Sequence, residues 1–339
     1  MKQRQSGIDL IRCLGLLFVV SVHYFLYNGF YYEPQTSLIL LPANTARWLF
    51  LSCNGIFMTL TGYLKSAKPL SRSYYRSLAP ILTGYVLTCA VSFPIRHFLL
   101  DEKMTLWGWI ENMVTFGNYS WYVEMYIGLF LFAPVINLAL DALKTPRQLY
   151  WLAGTLVFMT ALPSFTAINL IPDYWTALYP ITYYVFGAVV QRLQPKISPW
   201  GCIGGAILVA AGLGAATLLT TDGSFSDGVT QGYGGFWVTA MVILLFLGLY
   251  RLNIGPRVSR ILNWAAGGTF EGYILSRLFD IWVYAAFPQW HSPKKYALGY
   301  LCLTIPIFLI SVLLGKAVHT LAVLLADTLM PKKRPAPLS

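Results

Sequence analysis

Three ionisable side chains stand in the first apolar run, IDLIRCLGLLFVVSVHYFL: Asp9, Arg12 and His23. Arg12 and His23 are eleven residues apart, which on a helix separates them by roughly 20° around the axis and roughly 16 Å along it. Asp9 precedes Arg12 by three residues, on the same face and within pairing reach. A guanidinium holds phosphate or carboxylate through a fixed fork of donors, and an imidazole takes up or gives up a proton near neutral pH. One face thus offers an anion anchor and, farther along, a general base, which suits an elongated ligand. A second acid, Glu124, lies in YSWYVEMYIGLFLFAPVIN. At the depth of His23 its carboxylate would orient the imidazole and stabilise the protonated form. Plainer roles remain open: Asp9 and Arg12 as a helix-end ion pair, His23 as a satisfied packing residue, Glu124 as a partner of Arg47 or Arg277.

These residues sit in a chain of unusual composition. Of 339 residues, 57% are hydrophobic and 11% charged, with mean hydropathy +0.59. Soluble domains carry about 25% charge, so this chain cannot cover a water-facing surface. Ten apolar runs of spanning length follow one another, near 8–27, 44–64, 77–98, 119–140, 149–168, 174–191, 200–220, 235–250, 261–287 and 297–326. The expectation is an all-α polytopic membrane protein, residues 1–339 forming a single domain. The segment 104–117 is too short to span, and Leu106, Trp107, Ile110, Met113 and Val114 recur at helical spacing, as in a helix lying in the interface. The five cysteines lack metal or disulfide spacing, and no metal site is expected. The basic start and the lack of a cleavage-type end to the first run read as a retained anchor helix.

Charge in the connecting segments sets an orientation. With the N-terminus cytoplasmic, sixteen of the 24 Lys and Arg residues fall on the inner side, including Lys65, Lys68, Arg72, Arg76, Arg251, Arg257 and Arg260. Five (Arg47, Arg96, Lys103, Lys294, Lys295) fall outside. This bias predicts both termini in the cytoplasm. The net charge of +11 is then topological, and nucleic acid drops out as a partner.

The same residues resemble the acyltransferase 3 family of integral-membrane acyltransferases over nearly the whole chain. Arg12 and His23 match its first-span Arg and His. NGIFMTLTGYL matches its glycine-containing aromatic stretch at Asn54, Gly55, Phe57, Gly62 and Tyr63, with Thr61 in place of Ser. RSYYRSLAP, with Arg72, Arg76 and Pro80, resembles its basic cytosolic loop. Trp121, Tyr122 and Pro134 resemble its aromatic-then-proline fourth span. GGTFEGYILS resembles a late segment at Thr269, Gly272 and Tyr273, but Ser276 stands where many members have His, and Glu271 departs from the pattern.

The resemblance implies transfer of an acyl group, commonly acetyl, from cytosolic acyl-CoA to a hydroxyl of a surface or exported glycan or its lipid-linked precursor, at the plasma membrane. Arg12, Arg72 and Arg76 would hold the coenzyme phosphates, with Asp9 beside Arg12, and His23 would be the base with Glu124 behind it. Asn54, Tyr63 and Tyr122 are candidates for stabilising the oxyanion. Outer-face aromatics (Tyr31, Tyr32, Trp107, Trp109, Tyr119, Trp121, Trp290) could stack on a sugar or form interfacial belts. Two other classes fit buried Arg, Glu and His: a transporter or flippase for a polar or lipid-linked solute, and a non-catalytic regulatory membrane domain. The transporter reading lacks repeated halves with broken helices.

Overall fold

The computed structural model describes residues 5–116, 120–164, 170–220, 232–284 and 293–329. Every regular element among these residues is helical, with no strand. In chain order the helices are α1 (Ser6–Tyr27), α2 (Leu41–Phe50), α3 (Cys53–Lys65), α4 (Arg72–Arg76), α5 (Ala79–Leu99), α6 (Leu106–Val114) and α7 (Trp121–Ala142). Then follow α8 (Pro146–Thr160), α9 (Tyr179–Leu193), α10 (Pro199–Thr220), α11 (Phe236–Leu249), α12 (Pro256–Ala266), α13 (Thr269–Phe279), α14 (Pro293–Gly299) and α15 (Ile305–Leu329).

Five stretches of the described residues are long and apolar enough to cross a bilayer: Ser6–Tyr27, Arg72–Leu99, Trp121–Ala142, Pro199–Thr220 and Lys294–Thr328. The protein is a membrane protein. The other five expected spans fall on short or interrupted helices. Run 44–64 divides into α2 and α3 around Leu51 and Ser52, where the Ser52 hydroxyl donates to Leu49 O at 2.6 Å and competes with the helical ladder. Run 149–168 is α8, which ends at Thr160, and run 174–191 opens with a 3-10 turn, Asp173–Leu178, before α9. Run 235–250 is the 14-residue α11. Run 261–287 starts inside α12 and breaks at Gly267 and Gly268 before α13. Segment 104–117 does form a short helix, α6, capped by the Thr105 hydroxyl accepting from Gly108 N at 3.1 Å.

The first helix is the axis of the bundle. Of its apolar window 61% is buried, against 28–44% in the other four. It packs on α3, α12 and α13. Close backbone approach sets two crossings. A Cβ on Gly62 of α3 would overlap Tyr184 O of α9, and one on Gly187 would overlap Thr59 O, so glycine is required on both sides. Gly268, in the break before α13, and Gly272 within α13 meet Gly315 of α15 in the same manner.

Polar groups inside the bundle are spent on tying helices together, as a medium without water demands. Trp48 Nε1 donates to Thr217 Oγ1 at 2.8 Å, joining α2 to α10. The Asn137 amide of α7 donates to Lys65 O and Lys68 O at 3.0 and 2.9 Å and accepts from the Tyr184 hydroxyl at 2.8 Å. Pro134 cannot donate to the carbonyl four residues earlier. That carbonyl, Phe130 O, accepts instead from the Tyr74 hydroxyl of α4 at 2.8 Å, and the two rings stack at 4.4 Å.

Candidate functional site

The histidine of α1 has a partner, and it lies on α13's continuation. After Phe279 the chain widens into a π-helical turn, Asp280–Tyr284. Such turns insert a residue into the helical register and re-aim side chains, frequently where chemistry is done. Here the turn presents Asp280, wholly buried, to His23: Oδ2 lies 3.0 Å from Nδ1, and the imidazole is 16% exposed. Tyr284 closes the turn against α1, its hydroxyl 3.3 Å from Val20 O. One helical turn back from Asp280, Arg277 donates to the Tyr27 hydroxyl and lies over that ring, 5.4 Å from its centre. Tyr27 in turn stands 6.1 Å from the His23 ring.

At the other end of the same face, Arg12 and Asp9 form the expected ion pair, 3.6 Å apart, with Arg12 27% exposed and Asp9 buried. Asn263 of α12 donates to the other Asp9 oxygen at 3.4 Å. Arg12 lines a cavity of about 240 Å³ that also touches Val19, Asn54, Phe57, Lys65, Tyr122 and Tyr273. The cavity therefore follows α1 from Arg12 to Val19. His23 lies one turn beyond Val19, about 6 Å farther along the axis. Asn54 is buried on this cavity, and its Nδ2 has no hydrogen-bond partner among the described residues. A buried donor without an acceptor is costly and calls for one. Phe57 and Tyr122 pack 6.0 Å apart, and Tyr122 meets Tyr273 edge-on at 5.9 Å.

Several expected site residues fall elsewhere. Glu124 is exposed on α7, and the carboxylate at His23 is Asp280's. Its position around α7 turns Glu124 outward. Tyr63 is buried away from the cavity, its hydroxyl donating to Gln5 Oε1 at 2.8 Å and accepting from Gln194 Nε2 at 3.3 Å. Its ring packs on Phe246 and Tyr250. Arg72 and Arg76 are exposed on α4 and line neither this cavity nor the larger one beside α12. Trp121 is partly exposed and stacks on Tyr233, 5.5 Å between centres. Tyr119 and Trp290 lie outside the described residues. Ser276 is buried and donates to Tyr273 O at 2.8 Å.

Sequence reasoning misses Asp280 and Lys65. The criterion that selects Asp9 and Glu124, an acid within an apolar run, selects Asp280 as well, one turn after Arg277. Lys65 was a loop charge in the orientation argument; in the structure it lines the Arg12 cavity, with its ammonium 5.2 Å from the Phe130 ring.

A second histidine–acid pair joins α15 to α13: His319 Nδ1 lies 2.9 Å from Glu271 Oε1. Among the described residues no group of three His, Cys, Asp or Glu could hold a metal ion.

No curated protein and no solved structure matches the chain. A family model does: that of the acyltransferase domain, acyltransferase 3, over residues 5–316. That interval holds Arg12, His23, Asn54 and Asp280 together with every helix that positions them, and the chain belongs to the acyltransferase 3 family.

Proposed function

We propose that the protein moves an acyl group, acetyl in the first instance, from cytosolic acyl-CoA to a hydroxyl of a cell-surface or exported glycan or its lipid-linked precursor. The observation that carries this is the His23–Asp280 pair at 3.0 Å, placed one turn past a cavity that begins at Arg12. Asp280 occupies Nδ1, so proton transfer falls to Nε2. The acceptor hydroxyl gives its proton to Nε2 as its oxygen bonds to the thioester carbonyl carbon. Charge gathers on the carbonyl oxygen, and Asn54, which lines the cavity and whose Nδ2 has no partner among the described residues, is the donor assigned to it. The carbon–sulfur bond then breaks, and the departing thiolate takes the proton from the imidazolium. No separate catalytic domain is needed for these steps.

The reading extends to topology: ten passes through the plasma membrane with both termini cytoplasmic. In it the short and broken helices around α1 complete the bundle around the cavity. Acetyl-CoA given to purified protein with an extract of lipid-linked glycan tests the activity. Thiol release matched by a product heavier by one acetyl group is expected. Thiol-silent protein that carries solute across vesicles would replace this reading with a transporter.

A further inference from the structure

The Arg12 cavity, at about 240 Å³, is smaller than the roughly 300–1,000 Å³ pockets that take whole drug-sized ligands. It has room for an acylated thiol arm and not for a phosphorylated nucleoside as well. A larger cavity, about 700 Å³, opens at the same end of α1, between that end and α12. Arg251 and Arg260 line it, with Ser6, Asn253, Ser259 and Asn263, and no carboxylate is among its lining residues. Arg251 is held in place: it donates to Gln194 O at 3.3 Å and lies 5.8 Å from the centre of the Tyr250 ring. Arg260 makes no hydrogen bond or ion pair with any described residue and stands exposed at the rim. The α12 N-terminus faces the same space, and its cap, Gly255, brings no side chain to satisfy the first amides.

Two guanidiniums, several neutral polar groups and no acid suit a ligand with two separate anionic groups on a polar body. The two cavities share a wall. Asn263 lines the larger one and bonds Asp9; Asp9 pairs with Arg12; Arg12 lines the smaller one. We propose that the α12 cavity binds the phosphoadenosine diphosphate end of the acyl donor, Arg251 and Arg260 taking its pyrophosphate and its ribose phosphate. The acylated arm passes Arg12 into the smaller cavity. This rests on the acyl-transfer reading for its donor, but the cavity's preference for a phosphorylated nucleoside is measurable without turnover.

Calorimetric titration of adenosine 3′,5′-bisphosphate into the purified full-length protein is the first measurement. Binding is expected, weakened about 10-fold by Arg260→Gln and about 100-fold in the double variant with Arg251→Gln. Arg260→Gln removes an exposed side chain with no partner among the described residues, so the fold is not at stake. Equal affinity in the wild type and Arg260→Gln, or no binding to either, overturns the proposal. So does displacement of nothing but a soluble phosphatidylglycerol, which would make the cavity a lipid-headgroup site. The second measurement compares acetyl-CoA with acetyl-N-acetylcysteamine, which lacks the nucleotide. The double variant should cut the ratio of their kcat/KM values about 100-fold; an unchanged ratio overturns the proposal. Failure of wild-type turnover with both donors sinks acyl transfer alone, and the titration still decides the cavity.

Discussion

Two histidine–carboxylate pairs of nearly equal geometry cross this bundle, and they sit in different worlds. His23 and Asp280 lie 3.0 Å apart, His319 and Glu271 2.9 Å, each through Nδ1. In both, the acid is buried. The first pair stands one turn beyond a cavity lined by Arg12 and Asn54, with its acid delivered by a π-helical turn. The second joins two regular helices beside the tight glycine crossing of α13 and α15, and its imidazole is 34% exposed, with no cavity that reaches it among those lined by Arg12 or by Arg277. A histidine with an acid behind it is thus not by itself a catalytic group. What separates the two is the neighbourhood: a cavity that starts at Arg12 ends about one turn short of His23, and none of that kind lies beside His319 among the described residues.

The comparison can be broken at four points. The largest effect is expected at His23→Ala: acyl transfer falls about 10²–10⁴-fold, while coenzyme A affinity and melting temperature stay near wild type. Turnover and melting measured on one preparation decide it, and brisk turnover from a well-folded His23→Ala protein removes His23 from the mechanism. Asp280→Asn keeps the size of the side chain but not the charge behind the ring, and kcat should drop about 10–100-fold, the scale of losing an outer partner of a functional histidine. Glu124→Gln, made in parallel, should change kcat less than Asp280→Asn; the reverse order would return Glu124 to the site.

Arg12→Ala should weaken coenzyme A binding about 10–100-fold through loss of a charge-assisted contact at a partly buried place. Arg12→Lys should restore only part of that, since a point charge replaces a planar fork. Unchanged affinity in Arg12→Ala would leave Arg12 a plain helix-end partner of Asp9. The smallest effect on chemistry is expected at His319→Gln: about 1 kcal/mol of stability and no loss of turnover per folded molecule. A loss in kcat there would erase the distinction between the pairs.

Arg12 and His23 were readable from sequence because their spacing lies within one unbroken, mostly buried helix, where residue number converts directly to angle and depth. The same conversion fails at Asp280. A π-turn shifts everything after Phe279 by a fraction of a turn, and no local residue pattern announces it. It holds again within α3, where nine residues put Asn54 and Tyr63 on opposite faces, the first on the cavity and the second off it. Hydropathy found the apolar runs but not their breaks, because a helix interrupted by a Gly–Gly step or a serine hydroxyl keeps its apolar composition. Charge counting had the opposite blindness. It used Lys65, Arg251 and Arg260 to orient the chain and left no reason to look at what they line.

The Tyr74–Phe130 bond, with its partners 56 residues apart, also bears on the order in which the molecule is made. Tyr74 leaves the ribosome first and waits for an acceptor that synthesis at about 5–20 residues per second supplies roughly 3–11 s later. Any ordinary residue at position 134 would claim the Phe130 carbonyl for the helix of its own segment as soon as that segment coiled. Proline leaves the carbonyl unclaimed for the waiting Tyr74 hydroxyl, so an early-made piece of the chain can be fastened by a late-made one. Replacement of Pro134 by alanine would then show first as a defect of biogenesis, with newly inserted chains degraded before assembly, rather than as a weaker finished protein.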